Sequence, residues 1–239
     1  MKFLRNTSTD PHFNMSFDEY CLQRLSSDDN VFYLWQNRPS VIIGHNQDAG
    51  QEVNLDYLRR NGIVLARRVT GGGAVYHDLQ NLNYSIVGRK PDINVIVEAL
   101  RSLGVPAELT GRNDIFVEGR KVSGFARSVF QQRELIHGTL MYDVDIDALT
   151  RALDTPQSKL NRKGVASVRS RVANLKDYLP GIENISQLQE RLHSLLACGD
   201  LEIILGPEAY EAIEKRRIEK FAAPDWIYGT TRTQCPESL

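Results

Sequence analysis

Strand-like and helix-like stretches follow one another irregularly along this chain of 239 residues, and their order constrains the fold more than any other feature. Apolar, β-branched runs predict strands at residues 31–36, 40–44, 63–69, 82–87 and 134–144, with a hairpin at 114–124. Amphipathic patterns and capping residues predict helices at residues 11–25, 54–62, 93–104, 145–153, 186–197 and 207–221. Because this order lacks a strict βαβ repeat, we expect an α+β fold with helices packed on a mixed or antiparallel β-sheet.

The composition is that of a globular protein and argues against several functional classes. Hydrophobic residues make up 41% and charged residues 25%, and a net charge of −1 gives no overall signal for nucleic-acid binding. Cys21, Cys198 and Cys235 lie far apart, so we predict neither a zinc site nor a disulfide framework. The sequence shows no signal peptide and no membrane-spanning stretch, and we therefore expect a soluble, cytoplasmic protein without a membrane partner.

The stretch RRVTGGGAVYHD (67–78) combines bare backbone with charge. Its three consecutive glycines permit positive φ angles and a close approach of backbone N–H groups to an anion. Arg67 and Arg68 could add bidentate contacts to a phosphate. The spacing matches neither the P-loop nor the dinucleotide fingerprint, so a tight connection and a phosphate cradle both remain open. The flanking arginines and His77 favour the cradle.

Lys121 follows the hairpin turn in the sequence GRKVSG. It is either a solvated lysine or a point charge for a phosphate or an acyl carbonyl. The small residues Ser123 and Gly124 would let a ligand pass close to the strand. His137 precedes Gly138 in a strand-like stretch, and it is either a structural histidine or a base.

Residues 155–184 are polar and basic, and we predict a long loop there. Its cations include Lys159, Lys163, Arg169 and Arg171. Such a loop is either a solvated surface, a cover for a nucleotide or a dock for an acidic partner. The cysteines have no activating surroundings in the sequence, which argues against a nucleophilic role.

Four sequence blocks occur in an order that resembles one known family. The blocks are ARRVTGGGAVYHDLQNLNYSI (66–86), GRNDIFVEGRKVSG (111–124), HGTLMYDVDIDALTRAL (137–153) and KGVASVRSRVANL (163–175). Together they resemble the catalytic domain of the lipoate–protein ligase A family, from about residue 10 to Gly229. The resemblance implies the mixed sheet with packed helices that this family shares with biotin protein ligases and, more distantly, class II synthetases. It also implies that residues 1–239 form one catalytic domain.

The resemblance implies a two-step reaction. Members of the family activate lipoate with ATP and Mg²⁺ to lipoyl-AMP, release pyrophosphate, and pass the lipoyl group to a lysine of an acceptor lipoyl domain. The implied acceptors are the E2 subunits of 2-oxoacid dehydrogenases and the H protein of glycine cleavage. The residues distinguish neither lipoate from octanoate nor one acceptor from another.

The resemblance also assigns residues to the site. The implied contacts of ATP and lipoyl-AMP are Arg68, Gly73, Ala74, Val75, Tyr76 and Lys121. Lys121 would also contact the lipoate carbonyl and make it more electrophilic, without acting as a covalent nucleophile. The second-tier candidates are Gly71, Gly72, His77, Asp114 and His137, with Asp114 a candidate partner of Mg²⁺. We expect an apolar slot for the acyl tail near Trp35 and residues 41–43, and no cluster of metal ligands.

One departure from the family pattern concerns the C-terminal accessory domain that many bacterial members carry. This chain stops near the point where that domain would begin, so we expect the domain to be absent from it. Three explanations remain open: a truncated chain, a separate accessory polypeptide, or an enzyme that only transfers preformed lipoyl-AMP.

Each alternative to a ligase would require, or would not need, one particular feature of the sequence. An octanoyl or lipoyl transferase of this superfamily would use a cysteine acyl-enzyme, and residues 22–197 contain no cysteine. A non-catalytic module that binds a lipoyl or biotinyl carrier would need neither the arginine–glycine loop nor Lys121. A biotin ligase would show a GRGRxGR-like phosphate loop, which this sequence lacks.

Overall fold

The computed structural model of the chain describes residues 1–25, 29–153, 171–197, 199 and 201–229. Its strands are β1 (Lys2–Phe3), β2 (Val31–Trp35), β3 (Ser40–Ile43), β4 (Val64–Arg67), β5 (Val75–His77), β6 (Asn81–Gly88), β7 (Ala107–Thr110), β8 (Asp114–Val117), β9 (Arg120–Phe130) and β10 (Arg133–Met141). Its helices are α1 (Pro11–Arg24), α2 (Ala49–Glu52), α3 (Leu55–Arg60), α4 (Asn94–Ser102), α5 (Ile146–Ala152), α6 (Ile185–Leu196), α7 (Pro207–Arg216) and α8 (Pro224–Tyr228). The expected α+β class is confirmed.

The strands form two sheets. The larger sheet has seven strands in the order β1-β2-β6-β10-β9-β8-β7, and the smaller has three in the order β4-β3-β5. Each sheet contains one parallel pair, β1 with β2 and β3 with β4, so both sheets are mixed. Although β2 and β3 are separated by a short turn, they lie in different sheets. Both edges of β2 are already occupied, by β1 and β6, which leaves no edge for β3.

The layers follow from the alternation of side chains along the strands. In β2, Phe32 and Leu34 pack with α4 and α6 on one face, while Tyr33 and Trp35 pack with α1 on the other. Because both faces are covered, every residue of β2 is buried. Behind the small sheet, α2, α3 and α5 enclose a third apolar cluster. The two sheets therefore meet beside α1, with helices on their outer sides.

Local chemistry sets the element ends as the sequence predicts. The side chains of Asp10 and Asn54 accept hydrogen bonds from backbone N–H groups in the first turns of α1 and α3, at 2.9 and 3.0 Å. At the tip of the β8–β9 hairpin, Glu118 and Gly119 have φ angles of 50° and 75°. A two-residue turn with both φ angles positive matches the twist of the strands that it joins.

Other expectations need correction or lie outside the described residues. The helix expected over 207–221 is α-helical only as far as Arg216. It continues as a wider π-helical turn, Arg217–Phe221. Within the predicted loop, Leu175–Tyr178 forms a 3-10 turn. Outside the described residues lie Lys159, Lys163, Arg169, Cys198 and Cys235. Among the helices that are described, none has the length and apolar character needed to cross a bilayer.

Candidate functional site

A cleft opens between the two sheets beside α1, and it collects most of the residues singled out from the sequence. The predicted residues that line it are Arg68, Gly72, Gly73, Ala74, Val75, His77, Lys121 and His137. Residues that sequence reasoning did not assign also line it, among them Met15, Asn83, Asn113, Phe125 and Thr139. The large sheet forms the floor of the cleft, and the small sheet with the glycine loop forms its roof.

A first row of floor residues crosses the large sheet. Trp35 lies opposite Asn83, and Asn83 lies opposite Thr139. The Thr139 hydroxyl accepts a hydrogen bond from the Gly124 backbone at 3.2 Å, and Gly124 lies opposite Asp114. Since opposed residues on neighbouring strands share a face, this row leads from the indole of Trp35 to the Asp114 carboxylate.

A second floor row is held by a buried carboxylate of α1. The row contains Tyr33, Ser85, His137 and Ala126. The Oδ1 atom of Asp18 accepts hydrogen bonds from the hydroxyls of Tyr33 at 2.6 Å and Ser85 at 2.8 Å. Its Oδ2 atom lies 2.6 Å from Nδ1 of His137. Both oxygens of this buried carboxylate are therefore used to fix the floor.

Sequence reasoning missed Asp18, although a signal for it exists. Asp18 lies between Met15 and Leu22 at spacings of three and four residues, on the apolar face of α1. A carboxylate on such a face is buried only when hydrogen-bond donors meet it. The pattern predicts burial, but it does not identify the donors.

His137 links the floor to the glycine loop. Its Nε2 atom lies 2.7 Å from the Thr70 hydroxyl, which also accepts a hydrogen bond from Nε of Arg68 at 2.9 Å. The consistent arrangement has the Thr70 hydroxyl donating to Nε2 and the Nδ1–H group donating to Asp18. Both ring nitrogens are thus engaged, which favours the structural alternative over the base. The order of hydroxyl, imidazole and carboxylate resembles a catalytic triad, but Thr70 is only 1% exposed.

The three glycines of the glycine loop differ in whether their position requires glycine. Of its three glycines only Gly72 has a positive φ, 96°, whereas Gly71 and Gly73 have open space where a Cβ would lie. The closest approach is made by another glycine, because a Cβ on Gly44 would lie 2.2 Å from the carbonyl oxygen of Gly72. The loop is further fixed by a hydrogen bond of 2.8 Å from the His45 backbone to the Thr70 carbonyl.

Arg68 is enclosed by the loop that it supports. Its guanidinium donates to the carbonyls of Gly71 and Gly73 at 2.8 Å each and to the carbonyl of Ile42 at 3.0 Å. Burial lowers the pKa of Arg68 to about 10, which still leaves it charged at neutral pH. No carboxylate among the described residues forms an ion pair with it. The roof therefore carries a buried positive charge held by carbonyl oxygens and by the Thr70 hydroxyl.

Arg67 points the other way, contrary to the expectation that both arginines face a phosphate. Its guanidinium donates to the carbonyls of Gly44, His45 and Gln47, and to those of Trp226 and Ile227, at 2.6–3.0 Å. The Trp226 indole donates back to the Arg67 carbonyl at 2.9 Å. Successive residues of a strand alternate between faces, so adjacent arginines serve different purposes here. Arg67 ties β4 to α8.

The same alternation places residues of β5 and β3 either in the cleft or behind the small sheet. Val75 and His77 line the cleft, whereas the Tyr76 side chain packs behind the small sheet and leaves only its backbone near the roof. In β3, Ile42 lines the cleft, and Val41 with Ile43 packs behind it. Trp35 and Ile42 thus form part of the expected apolar slot.

His77 presents an unpartnered nitrogen to the cleft. Its Nδ1 atom lies 3.0 Å from Nδ2 of Asn37, a donor, so the ring proton sits on Nε2. Burial and the nearby charge of Arg68 lower the pKa of His77 to about 3, so the imidazole is neutral at pH 7. Its Nε2 atom is buried without a hydrogen-bond partner among the described residues.

Lys121 reaches into the cleft from the edge of the floor. Its ammonium forms an ion pair of 2.7 Å with Asp114, and about a third of each side chain is exposed. Gly124 provides the space for the ammonium, because a Cβ there would lie 2.8 Å from Nζ. The Lys121 backbone is fixed through hydrogen bonds with Arg171 and Ala173 at 2.7 and 2.9 Å. No group of three metal-ligating side chains is found in the described ranges.

Comparisons with known proteins agree on one family. A family model described as the lipoyl protein ligase A/B catalytic domain matches residues 10–196. Lipoate-protein ligase LplJ of Bacillus subtilis is 38% identical, and the match covers 96% of this chain and 74% of that protein. Lipoate–protein ligase 1 of Staphylococcus aureus is 40% identical with the same coverages.

Solved structures show the same likeness. A bi-partite lipoate protein ligase described with its E2 lipoyl domain, from Thermoplasma acidophilum, has a TM-score of 0.85 and 29% identity, covering 98% of both chains. A lipoate-protein ligase A bound with ATP has a TM-score of 0.81 and 29% identity, covering 95% of this chain and 98% of that one. A further Thermoplasma acidophilum protein, described as a putative lipoate protein ligase with bound lipoic acid, has a TM-score of 0.79 and 26% identity, with coverages of 95% and 98%.

Proposed function

Because the chain belongs to the lipoyl protein ligase A/B catalytic-domain family, we propose that it activates lipoate with ATP and transfers the lipoyl group to a lysine of a lipoyl domain. The observation that carries this function is the cleft itself. It sets a buried cationic glycine loop and a partly exposed ammonium at the open end of an apolar slot. An acid with a long apolar tail and a nucleotide phosphate both fit this arrangement. Residues 1–239 are proposed to act as the catalytic domain.

The acyl tail lies in the slot between the two sheets. Trp35, Ile42 and Val75 supply its apolar walls. Burial of the tail favours binding, and the charged end of the acid stays near Lys121 because that end is costly to desolvate.

The adenylate binds at the glycine loop. Arg68 gathers the carbonyls of Gly71 and Gly73, and within residues 29–153 no acceptor takes the backbone N–H groups of Gly72 and Gly73. Successive free N–H groups form an anion-binding concavity. In this proposal Arg68 acts through the loop, and the N–H groups with Lys121 contact the phosphate.

Activation is an in-line displacement at the α-phosphorus. A carboxylate oxygen of lipoate forms the new P–O bond, the bond to the bridging oxygen breaks, and pyrophosphate leaves with its electron pair. Negative charge accumulates on the α-phosphate oxygens, where the ammonium of Lys121 and the loop N–H groups stabilise it. Lys121 leaves Asp114 for the phosphate in this step.

Transfer uses the same ammonium. The neutral amine of the acceptor lysine attacks the lipoyl carbonyl and an amide bond forms. AMP leaves with the electrons of the C–O bond, and the amine proton passes to solvent. Lys121 polarises the carbonyl and stabilises the oxyanion that forms. No covalent enzyme intermediate is needed.

Mg²⁺ enters as the counter-ion of ATP. Protein sites for Mg²⁺ commonly supply one or two carboxylates and leave the remaining positions to phosphates and water. Asp114 is the carboxylate at the end of the first floor row, so it fits this requirement once Lys121 has moved to the phosphate. The ion would neutralise the leaving pyrophosphate.

The proposed protein partner is a lipoyl domain, of an E2 subunit or of the glycine cleavage H protein. The likeness to a bi-partite ligase described with its E2 lipoyl domain supports this choice. The same likeness supports a second polypeptide that assists activation. The cytoplasm stays the predicted location.

A transferase with a cysteine acyl-enzyme is the less favoured alternative. Cys21 is fully buried, and burial raises the pKa of its thiol far above neutral pH. A thiol in that state is neither ionised nor accessible to an acyl donor. Cys198 and Cys235 lie outside the described residues.

The test is pyrophosphate release from the purified chain with Mg-ATP and lipoate, without and with an acceptor lipoyl domain. Lipoate-dependent release and lipoylation of the acceptor are expected. If release fails but synthetic lipoyl-AMP supports transfer, activation belongs to a partner polypeptide. If neither reaction occurs, the proposed function is wrong.

A further inference from the structure

Two buried hydrogen-bond donors line the cleft without a partner among the described residues. They are Nδ2 of Asn83, on the floor, and Nε2 of His77, on the roof. Asn83 is 1% exposed and His77 is 3% exposed. Buried polar side chains normally have partners, so an unpaired donor in a ligand cleft indicates a contact that the ligand makes.

Hydrogen bonds to neighbouring side chains leave one donor of each side chain unpaired. Nδ2 of Asn81 donates to Oδ1 of Asn83 at 2.8 Å, which leaves the amide nitrogen of Asn83 free. The contact with Asn37 occupies Nδ1 of His77, which leaves the Nε2–H group free. Each side chain therefore presents an unpaired donor to the cleft.

The two donors meet beside Trp35. Trp35 lies directly opposite Asn83 on the neighbouring strand, and its ring centroid is 6.1 Å from that of His77. Ile42 and Val75 add apolar surface from the roof. A polar pair in such surroundings discriminates strongly between a ligand atom that accepts a hydrogen bond and one that does not.

The position of the pair relative to Lys121 suits the far end of an acyl chain. Asn83 lies on β6 and Gly124, above which the ammonium of Lys121 rests, lies on β9, with β10 between them. Two interstrand spacings give a separation of about 10 Å across the floor. An extended octanoyl chain has this length, so an acid whose carboxylate lies at Lys121 places its last carbons at Asn83.

We propose that Asn83 and His77 form a selectivity site for the distal end of the acyl chain, which accepts the sulfur atoms of a dithiolane and disfavours a plain methyl end. This proposal rests on the function proposed above. A divalent sulfur is a weak acceptor that can take an N–H donor, whereas the end of octanoate leaves both donors unpaired. Lipoate is therefore the preferred acid, and octanoate is a poorer substrate of the same cleft.

The experiment compares lipoate and octanoate as substrates for Mg-ATP-dependent pyrophosphate release, with binding of each acid measured by calorimetry. The wild-type protein should favour lipoate in kcat/KM by about tenfold or more. Asn83→Leu should reduce that ratio to near one, because it removes the donor and adds apolar surface. Asn83→Asp keeps the Oδ1 acceptor for Asn81 and replaces the free donor with an acceptor, and it should also reduce the ratio.

His193→Leu is the matched control. Nε2 of His193 is also buried without a partner, but it lies on α6, packed against Phe3 and Phe32 and away from the cleft. Its substitution should leave the lipoate-to-octanoate ratio unchanged. A ratio near one in the wild type, or a ratio that the folded Asn83 variants leave unchanged, would overturn the inference. A wild-type protein that neither binds nor activates either acid would instead count against the proposed function.

Discussion

The two walls of the cleft carry their positive charge in opposite ways. In the roof, Arg68 is buried and bound to three carbonyls of its own surroundings, with no ion pair among the described residues. On the floor, Lys121 is one-third exposed and paired with Asp114. A guanidinium with five fixed donors suits a permanent scaffold, while an ammonium on a flexible stem can change partners. The roof charge thus holds the glycine loop in shape, and the floor charge is free to follow the reaction.

The largest expected effect comes from removing the mobile charge. Lys121→Ala should lower kcat for pyrophosphate release by about 100-fold or more. The substitution removes the cation that stabilises the negative charge developing on the α-phosphate. Its free energy of unfolding should stay within about 0.5 kcal/mol of wild type, because the side chain is partly exposed. Kinetic assays and urea unfolding measure the two quantities.

Lys176→Ala is the matched control for that variant. Lys176 forms an exposed ion pair of 2.6 Å with Asp143 and does not line the cleft. It should retain the wild-type rate. An unchanged rate in Lys121→Ala would show that the floor charge plays no part in the chemistry.

The next effect tests the rigidity of the roof. Gly44→Ala places a Cβ 2.2 Å from the Gly72 carbonyl oxygen, and a backbone atom cannot move aside as a side chain can. We expect a loss of about 1–3 kcal/mol in unfolding free energy and a lower rate, because the loop must shift. Gly181→Ala, which meets nothing within 4 Å, should show neither change. Wild-type stability and rate in Gly44→Ala would mean that the loop is not held in one shape.

A pH experiment probes the burial of His77 beside the charge of Arg68. The folded-state pKa of His77 is about 3 and the unfolded value is near 6.5, so the unfolded state binds the additional proton between these values. Folding stability should therefore fall as the pH drops below 6.5, by about 1.4 kcal/mol per pH unit from this group.

The contribution of His77 is isolated by difference. Burial also lowers the pKa of His12 and His193, which adds to the wild-type slope. Subtracting the urea-unfolding profile of His77→Gln from that of the wild type should leave the slope of His77 alone. Identical profiles would contradict a neutral, buried imidazole beside Arg68.

The smallest effect tests the space beneath the mobile charge. A Cβ on Gly124 would lie 2.8 Å from Nζ and 3.0 Å from Cε of Lys121, so the ammonium must move. Gly124→Ala should lower kcat by about tenfold with little change in stability, since the end of a flexible side chain yields easily. In a Lys121→Ala background the same substitution should have no further effect on kcat. Additive losses would place the role of Gly124 elsewhere.

The sequence predicted much of this cleft because local signals identify its parts. Caps at Asp10 and Asn54, the Glu118-Gly119 turn and the apolar runs gave the elements, with ends shifted by a few residues. The glycine loop and Lys121 were singled out by residue type and context. These features depend on short-range sterics and hydrogen bonding, which residues close in the chain decide.

Long-range pairing decided what the sequence left open. The separation of β2 from β3, and the meeting of Asp18 with His137 across 119 positions, depend on which strand edges and helix faces are already covered. The opposite directions of Arg67 and Arg68 follow from the placement of β4 between α8 and the loop.

The sequence by itself determined the fold class, the family resemblance and the presence of a cationic glycine loop with a lysine beyond it. Only the tertiary structure decided which arginine supports that loop, and that Asn83 and His77 keep free donors at one end of the slot. The physical reason is that residue type and local pattern fix what a segment can form. Whether a polar group is paired or left unpaired depends on neighbours that the fold brings from distant parts of the chain.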